Sequence, residues 1–76
     1  MSDIVIYTTR RCPYCLSAKA WLKEKGYTFQ EISLDNPSDR KSFIRKNPKM
    51  TTVPQVFFKG EAIGGFSDLI RSKLSF

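Results

Sequence analysis

Hydrophobic and polar positions divide the chain into short segments that switch between two periods. Asp3 to Thr8 (DIVIYT) is a compact β-branched and aromatic run, which predicts a buried strand of a parallel sheet. Thr9-Arg10-Arg11 is a polar loop. From Pro13 the spacing becomes helical, with Ala18, Trp21 and Leu22 as the apolar positions. Cys12 takes the cap position of this helix and Pro13 its first residue. Gly26 ends it after about Lys25, with Lys23 and Lys25 in the last turn. Thr28 to Leu34 (TFQEISL) predicts a second strand. Residues 3 to 34 then form a strand–helix–strand unit long enough for a right-handed parallel crossover.

Asn36-Pro37-Ser38-Asp39 predicts the start of a second helix, with Asn36 as cap and Pro37 at the first position. It continues through Phe43 and Ile44 and stops at Asn47-Pro48. Thr51-Thr52-Val53-Pro54 leads into a third strand, Gln55 to Lys59. Gly60-Glu61 predicts a tight turn into a short fourth strand, Ala62-Ile63. Gly64-Gly65 breaks that strand, and Ser67 caps a last helix from Asp68 to about Leu74. The order β-α-β-α-β-β-α predicts an α/β fold. Its first two strands are parallel and its last two antiparallel, giving one mixed four-stranded sheet with helices packed on it. The length allows one domain, residues 1–76, and no repeat, linker or low-complexity segment interrupts it.

Composition narrows the function. No apolar run approaches the length of a membrane-spanning helix. Met1-Ser2-Asp3 lacks the basic and apolar regions of a signal peptide, so the expectation is a cytoplasmic protein that stays where it is made. There are two cysteines and no histidine. That excludes Ser-His-Asp and Cys-His catalytic pairs and an ordinary four-ligand Cys/His zinc site, and no metal is expected. A net charge of +6 favours anionic partners without choosing among nucleic acid, acidic proteins and small anions.

The two cysteines carry the chemistry. Cys12 and Cys15 stand at i and i+3 on a helix start, which places both sulfurs on one face within bonding reach. Cys12 lies at the helix N-terminus, where free N–H groups and the macrodipole favour negative charge, and Arg10 and Arg11 add positive charge nearby. Both effects favour the thiolate, which is the nucleophile. Cys15, one turn further in, is expected to be more buried and less acidic. Cys12 is therefore read as the attacking cysteine and Cys15 as the resolving one.

The tetrapeptide Cys12-Pro13-Tyr14-Cys15 is the form typical of dithiol glutaredoxins. Tyr7-Thr8, Thr52-Val53-Pro54 and Gly64-Gly65-Phe66-Ser67-Asp68 stand in the same order and spacing as in that family. On these residues the chain resembles the glutaredoxin family over nearly its whole length. The resemblance implies the minimal thioredoxin fold and a glutathione-disulfide oxidoreductase, with glutathione as reductant and co-substrate. It implies a monomer that reduces protein disulfides and protein–glutathione mixed disulfides, with ribonucleotide reductase among family-level targets. Cys12 would carry the glutathione mixed disulfide and Tyr14 would flank the tripeptide. Thr52 and Val53, before a cis Pro54, would pair with its cysteinyl part like an added strand. Gly65, Phe66, Ser67 and Asp68 would hold the γ-glutamyl end, its carboxylate on helix N–H groups and its ammonium on Asp68.

The chain departs from the family pattern at two places. Thr9 stands where many relatives carry Lys or Arg for the glycyl carboxylate, which leaves that contact to Arg10, Arg11 or Lys49. Phe66-Ser67-Asp68 stands where many relatives have Cys or Tyr followed by two Asp. The basic residues Arg40, Lys41, Arg45, Lys46 and Lys49 read as a solvated helix face that steers anionic substrates, not as a nucleic-acid site. Two alternatives remain. A redoxin recharged by thioredoxin reductase is disfavoured by Pro13-Tyr14 and Thr52-Val53-Pro54. An iron–sulfur binding module is disfavoured by Pro13 and Tyr14.

Overall fold

The computed structural model describes residues 3–71. The elements are β1 (Ile4–Thr8), α1 (Pro13–Glu24), β2 (Gln30–Ser33), α2 (Pro37–Lys46), β3 (Gln55–Phe58), β4 (Glu61–Gly64) and α3 (Phe66–Arg71). The sheet runs β2-β1-β3-β4. β1 is parallel to β2, in register from Val5↔Gln30 to Thr8↔Ser33. It is antiparallel to β3, from Ile4↔Phe58 to Tyr7↔Gln55. β3 and β4 form an antiparallel hairpin with a register shift at Val56/Phe57. The mixed four-stranded sheet and the element order are those the sequence predicts.

Alternation along the strands assigns the two faces. Ile4, Ile6 and Val56 point to one face, where Ala18 and Leu22 of α1 and Leu69 of α3 complete the buried core. Tyr7 and Phe57 point to the other, where Phe43 of α2 stacks on them. Ring centroids lie 4.5 Å apart for Tyr7–Phe43 and 5.5 Å apart for Tyr7–Phe57. Two helices thus cover one face and one helix the other.

The helix ends follow from local chemistry. Cys12 is extended at the cap of α1 and Pro13 begins the helix. At the far end Gly26 adopts φ +80°, donating its N–H to Lys23 C=O at 3.0 Å while Tyr27 N–H reaches Leu22 C=O at 2.9 Å. This pair of bonds is a Schellman cap, and the Tyr27 ring packs 6.2 Å from Trp21 over it. α2 is capped by Asn36, whose side chain accepts from Ser38 N–H at 2.8 Å. It closes at Asn47, whose N–H and side-chain amide both donate to Phe43 C=O.

Some boundaries differ from the expectation, each for a physical reason. β2 covers four residues and not TFQEISL, because an edge strand extends only where its neighbour offers ladder partners. Phe29, just ahead of it, packs against the core instead. The hairpin turn falls on Lys59-Gly60 and not on Gly60-Glu61. Their φ values of +50° and +83° give the two-residue turn whose twist suits a hairpin, and β4 already begins at Glu61. α3 starts at Phe66, one residue ahead of Ser67. Its capping group is the Asp68 carboxylate, which accepts from Gly65 N–H at 3.1 Å. The expected end of this helix near Leu74 lies outside the described residues.

Candidate active site

β1 ends at Thr8, and the polar loop after it delivers Cys12 to the start of α1. Cys12 and Cys15 are joined in a disulfide with their Cα atoms 5.1 Å apart, a separation well inside the range a disulfide needs. Both are buried, Cys15 at 1% exposure and Cys12 at 8%. The more accessible of the two residues is therefore the one at the helix cap. Cys12 Sγ accepts from Cys15 N–H at 3.1 Å, so a helix-terminal donor already points at it. The Val53 carbonyl oxygen stands 3.6 Å from the same sulfur.

Val53 belongs to the loop before β3, and its bond to Pro54 is cis. The loop carries the expected residues into one groove of about 370 Å³. That groove is lined by Tyr14, Thr52, Val53, Pro54, Gly65, Phe66, Ser67 and Asp68. Residues from the α1 start, the Thr-Val-Pro loop and the α3 start thus converge beside Cys12. Tyr14 is 66% exposed, and its ring lies 6.3 Å from that of Phe66 across the groove. Thr52 C=O accepts from the side-chain amide of buried Gln55, which ties the loop to β3.

The glycine with the tightest steric demand is Gly64, just before this groove. Its φ is +121°, and a Cβ there would come within 2.5 Å of Asp68 Oδ2. Gly65, in contrast, would place a Cβ in ordinary contact with Pro54 C=O at 3.6 Å. Asp68 is engaged locally, at Gly65 N–H just before its helix and, 3.4 Å away, at the Arg71 guanidinium within it. A carboxylate has lone pairs beyond these two contacts.

A second and wider groove, about 800 Å³, is lined by Cys12 itself and shares Tyr14 and Val53 with the first. Arg10, Arg11, Tyr14 and Val53 line it, with Thr9, Asp35 and Arg40. Arg10 is drawn toward Asp35: its backbone N–H donates to Asp35 Oδ1 at 2.8 Å, and its side chain stands 4.0 Å from Oδ2. That backbone bond, then the Ser33 hydroxyl and the Arg10 and Arg40 charges, hold the Asp35 carboxyl below its ordinary value. The positive charge that Arg10 adds near Cys12 is thus partly offset. Lys49 is not among the residues lining either groove.

A third feature had no counterpart in the sequence reading. Thr8, 2% exposed at the end of β1, donates its hydroxyl to Glu31 Oε2 at 2.6 Å. Lys19 Nζ reaches the same oxygen at 3.0 Å. These three residues share a cleft of about 270 Å³ with Cys12 and Cys15. The only available signal was helical spacing, since Cys15 and Lys19 stand at i and i+4. Among the described residues no group of three or more His, Cys, Asp or Glu is placed to hold a metal ion. No helix among them is long and apolar enough to cross a membrane.

The sequence profile of the glutaredoxin family matches residues 4–63. Glutaredoxin 3 of Escherichia coli strain K12 is 44% identical over 69 residues, covering 91% of this chain and 83% of its own length. Glutaredoxin 1 from Francisella tularensis, solved in complex with cacodylate, superposes with a TM-score of 0.82 at 35% identity. The match covers 92% of this chain and 90% of that one. A buckwheat glutaredoxin–glutathione complex superposes with a TM-score of 0.81 at 28% identity, over 93% of this chain and 67% of that one.

Proposed function

The chain belongs to the glutaredoxin family, a thiol–disulfide oxidoreductase of the thioredoxin fold, and from that premise we propose how its own residues carry the reaction. Cys12 is the nucleophile. As thiolate it attacks a protein disulfide, forming a mixed disulfide and releasing one protein sulfur as thiolate. Cys15 then attacks Cys12 Sγ, which frees the second protein sulfur and leaves the Cys12–Cys15 disulfide. One glutathione thiolate opens that disulfide at Cys12. A second attacks the glutathione sulfur, so two glutathiones supply the two electrons and leave as glutathione disulfide. With a glutathionylated protein Cys12 acts alone.

The observation that carries glutathione use is the groove from Tyr14 through Thr52–Pro54 to Gly65–Asp68, whose Val53 carbonyl oxygen stands 3.6 Å from Cys12 Sγ. Its exposed loop offers Thr52 and Val53 backbone groups to an extended peptide. Phe66 and Tyr14 wall the ligand, and Ser67 and Asp68 face its γ-glutamyl end. The glycyl carboxylate reaches the basic groove at Arg10 or Arg11, in place of the cation that Thr9 does not provide. The glutathione complex of the buckwheat relative supports this reading. We extend it to a monomeric, single-domain cytoplasmic reductase that needs no metal. Its substrates are disulfide-containing or glutathionylated proteins, ribonucleotide reductase among the candidates.

A glutathione-coupled mixed-disulfide assay tests the roles. Cys12→Ser abolishes turnover with glutathione as reductant. Cys15→Ser keeps removal of glutathione from mixed disulfides and loses reduction of intramolecular protein disulfides. Full activity of Cys12→Ser would overturn the assignment.

A further inference from the structure

Lys19 is the one basic residue among those described that is not exposed. It stands one helical turn beyond Cys15 on α1, and its ammonium bonds Glu31 Oε2 at 3.0 Å. Thr8, buried at the end of β1, donates its hydroxyl to the same oxygen at 2.6 Å. Being buried, that hydroxyl needs Glu31 as a partner. Lys19 does not, because a lysine on a helix surface can carry its ammonium out to water. All three residues line one cleft of about 270 Å³ with Cys12 and Cys15. Arg10 and Asp35, which face each other, are the other charged groups lining it. Lys23 acts on Glu31 from further along α1.

Cys15 has to carry negative charge twice in each cycle. It attacks Cys12 Sγ as a thiolate, and it leaves as a thiolate when glutathione opens the disulfide. Yet it is 1% exposed, and burial disfavours a charged sulfur. Its own backbone N–H, a donor at the helix start, is directed at Cys12 Sγ instead. We infer that Lys19, held in the cleft by Glu31 and Thr8, is the positioning residue that sets the charge state of Cys15, its ammonium supplying the field that lets the buried sulfur become a thiolate. In the reductive half of the cycle a glutathione thiolate attacks Cys12 Sγ. The Cys12–glutathione bond forms, the Cys12–Cys15 bond breaks, and the electron pair departs on Cys15 Sγ, which then takes a proton from solvent through the cleft. In the oxidative half the proton leaves by the same route. Cys15 attacks Cys12 Sγ and the substrate sulfur departs as thiolate. A leaving thiol of lower pKa departs faster, and a neighbouring cation lowers that pKa. The inference rests on Cys12 as the attacking cysteine and Cys15 as the resolving one. It concerns dithiol turnover, since removal of glutathione by Cys12 alone does not use Cys15.

The test reads Cys15 directly. In Cys12→Ser protein it is the sole cysteine, and the Cβ chemical shift of isotope-labelled cysteine follows its ionisation against pH. Lys19→Met is expected to move that titration to higher pH, and Lys19→Arg, which keeps the charge, to restore it. Glu31→Gln keeps an acceptor for Thr8 and Lys19 but loses the negative charge, and is expected to move the titration to lower pH. Amide spectra of the same samples report that each variant is folded. With both cysteines present, glutathione is expected to open the disulfide of Lys19→Met roughly fivefold more slowly near neutral pH, and Lys19→Arg to recover the rate. An unmoved titration in Lys19→Met would overturn the inference. So would shifts in the same direction in Lys19→Met and Glu31→Gln, the mark of a loosened cleft. An equal slowing by Lys19→Met of glutathione removal in the Cys15→Ser background would also overturn it, because the charge would then act on Cys12. The titration needs no turnover, so its failure is separable from failure of the cysteine roles, which full activity of Cys12→Ser would reveal.

Discussion

Glu31 sits half-exposed on the edge strand β2, yet its carboxyl is held below its ordinary value of 4.5. The Thr8 hydroxyl is the largest cause and the Lys19 ammonium the next, both bonding the charged form. A carboxylate depressed in the folded state adds stability that is present above its unfolded pKa. That stability is lost as pH falls through the folded pKa. Unfolding free energy should therefore decline as pH drops below about 4.5, the ordinary value from which this carboxyl is lowered. Urea titrations over that range should show a shallower decline for Glu31→Gln than for the wild type, with the two curves converging at the acid end. The remaining decline, at lower pH, belongs to Asp35, which is also depressed. Nothing local marks Glu31 for this role, because its partners lie 23 and 12 residues away along the chain. Cys12, Cys15 and Tyr14 were legible for the opposite reason, since four consecutive residues at a helix start define their own geometry.

At the scale of elements, α1 is the support of the site. Its N-terminus holds Cys12 against Cys15 N–H, and its C-terminus is locked by Gly26 in the left-handed region. A Cβ on Gly26 would meet nothing within 4 Å, so the cost of a substitution is conformational alone. Gly26→Ala should destabilise the protein by about 1 kcal/mol in chemical denaturation and leave the redox activity of the folded protein unchanged. The ends of α1 and α2 were readable from Pro13, Gly26, Asn36 and Asn47, because caps are made by residues adjacent in sequence. The strand ends were not. β2 stops where β1 no longer faces it, and β4 begins one residue early because Lys59 accepts a positive φ in the turn. Asp68 displaced Ser67 as the capping group of α3 because Gly64, lacking a Cβ, leaves its carboxylate room to reach back to Gly65 N–H.

For the whole molecule, one small core bears the load. Ile4, Ile6, Ala18, Leu22, Val56 and Leu69 form it, with aromatic rings packed around them. A chain of 76 residues has a total stability of about 4–11 kcal/mol at typical per-residue values. Leu22 is fully buried beneath α1, and Leu22→Ala should cost about 3 kcal/mol, a large share of that total. Thermal unfolding followed by circular dichroism would show it as a midpoint lowered by more than ten degrees, at about 4–8 °C per kcal/mol for a domain of this size. The sequence by itself determined the element order, the mixed sheet, the redox cysteine pair and the residues of one groove beside it. Those follow from periodicity, capping and a short motif, all of which act over a few residues. Tertiary structure alone decided the rest. It brought Arg40 of α2 alongside Arg10, Arg11 and Cys12, set Asp35 against Arg10, and gave Glu31 its two partners. Such pairings depend on how sheet register and helix placement fold distant segments together, and no local pattern in the chain encodes them.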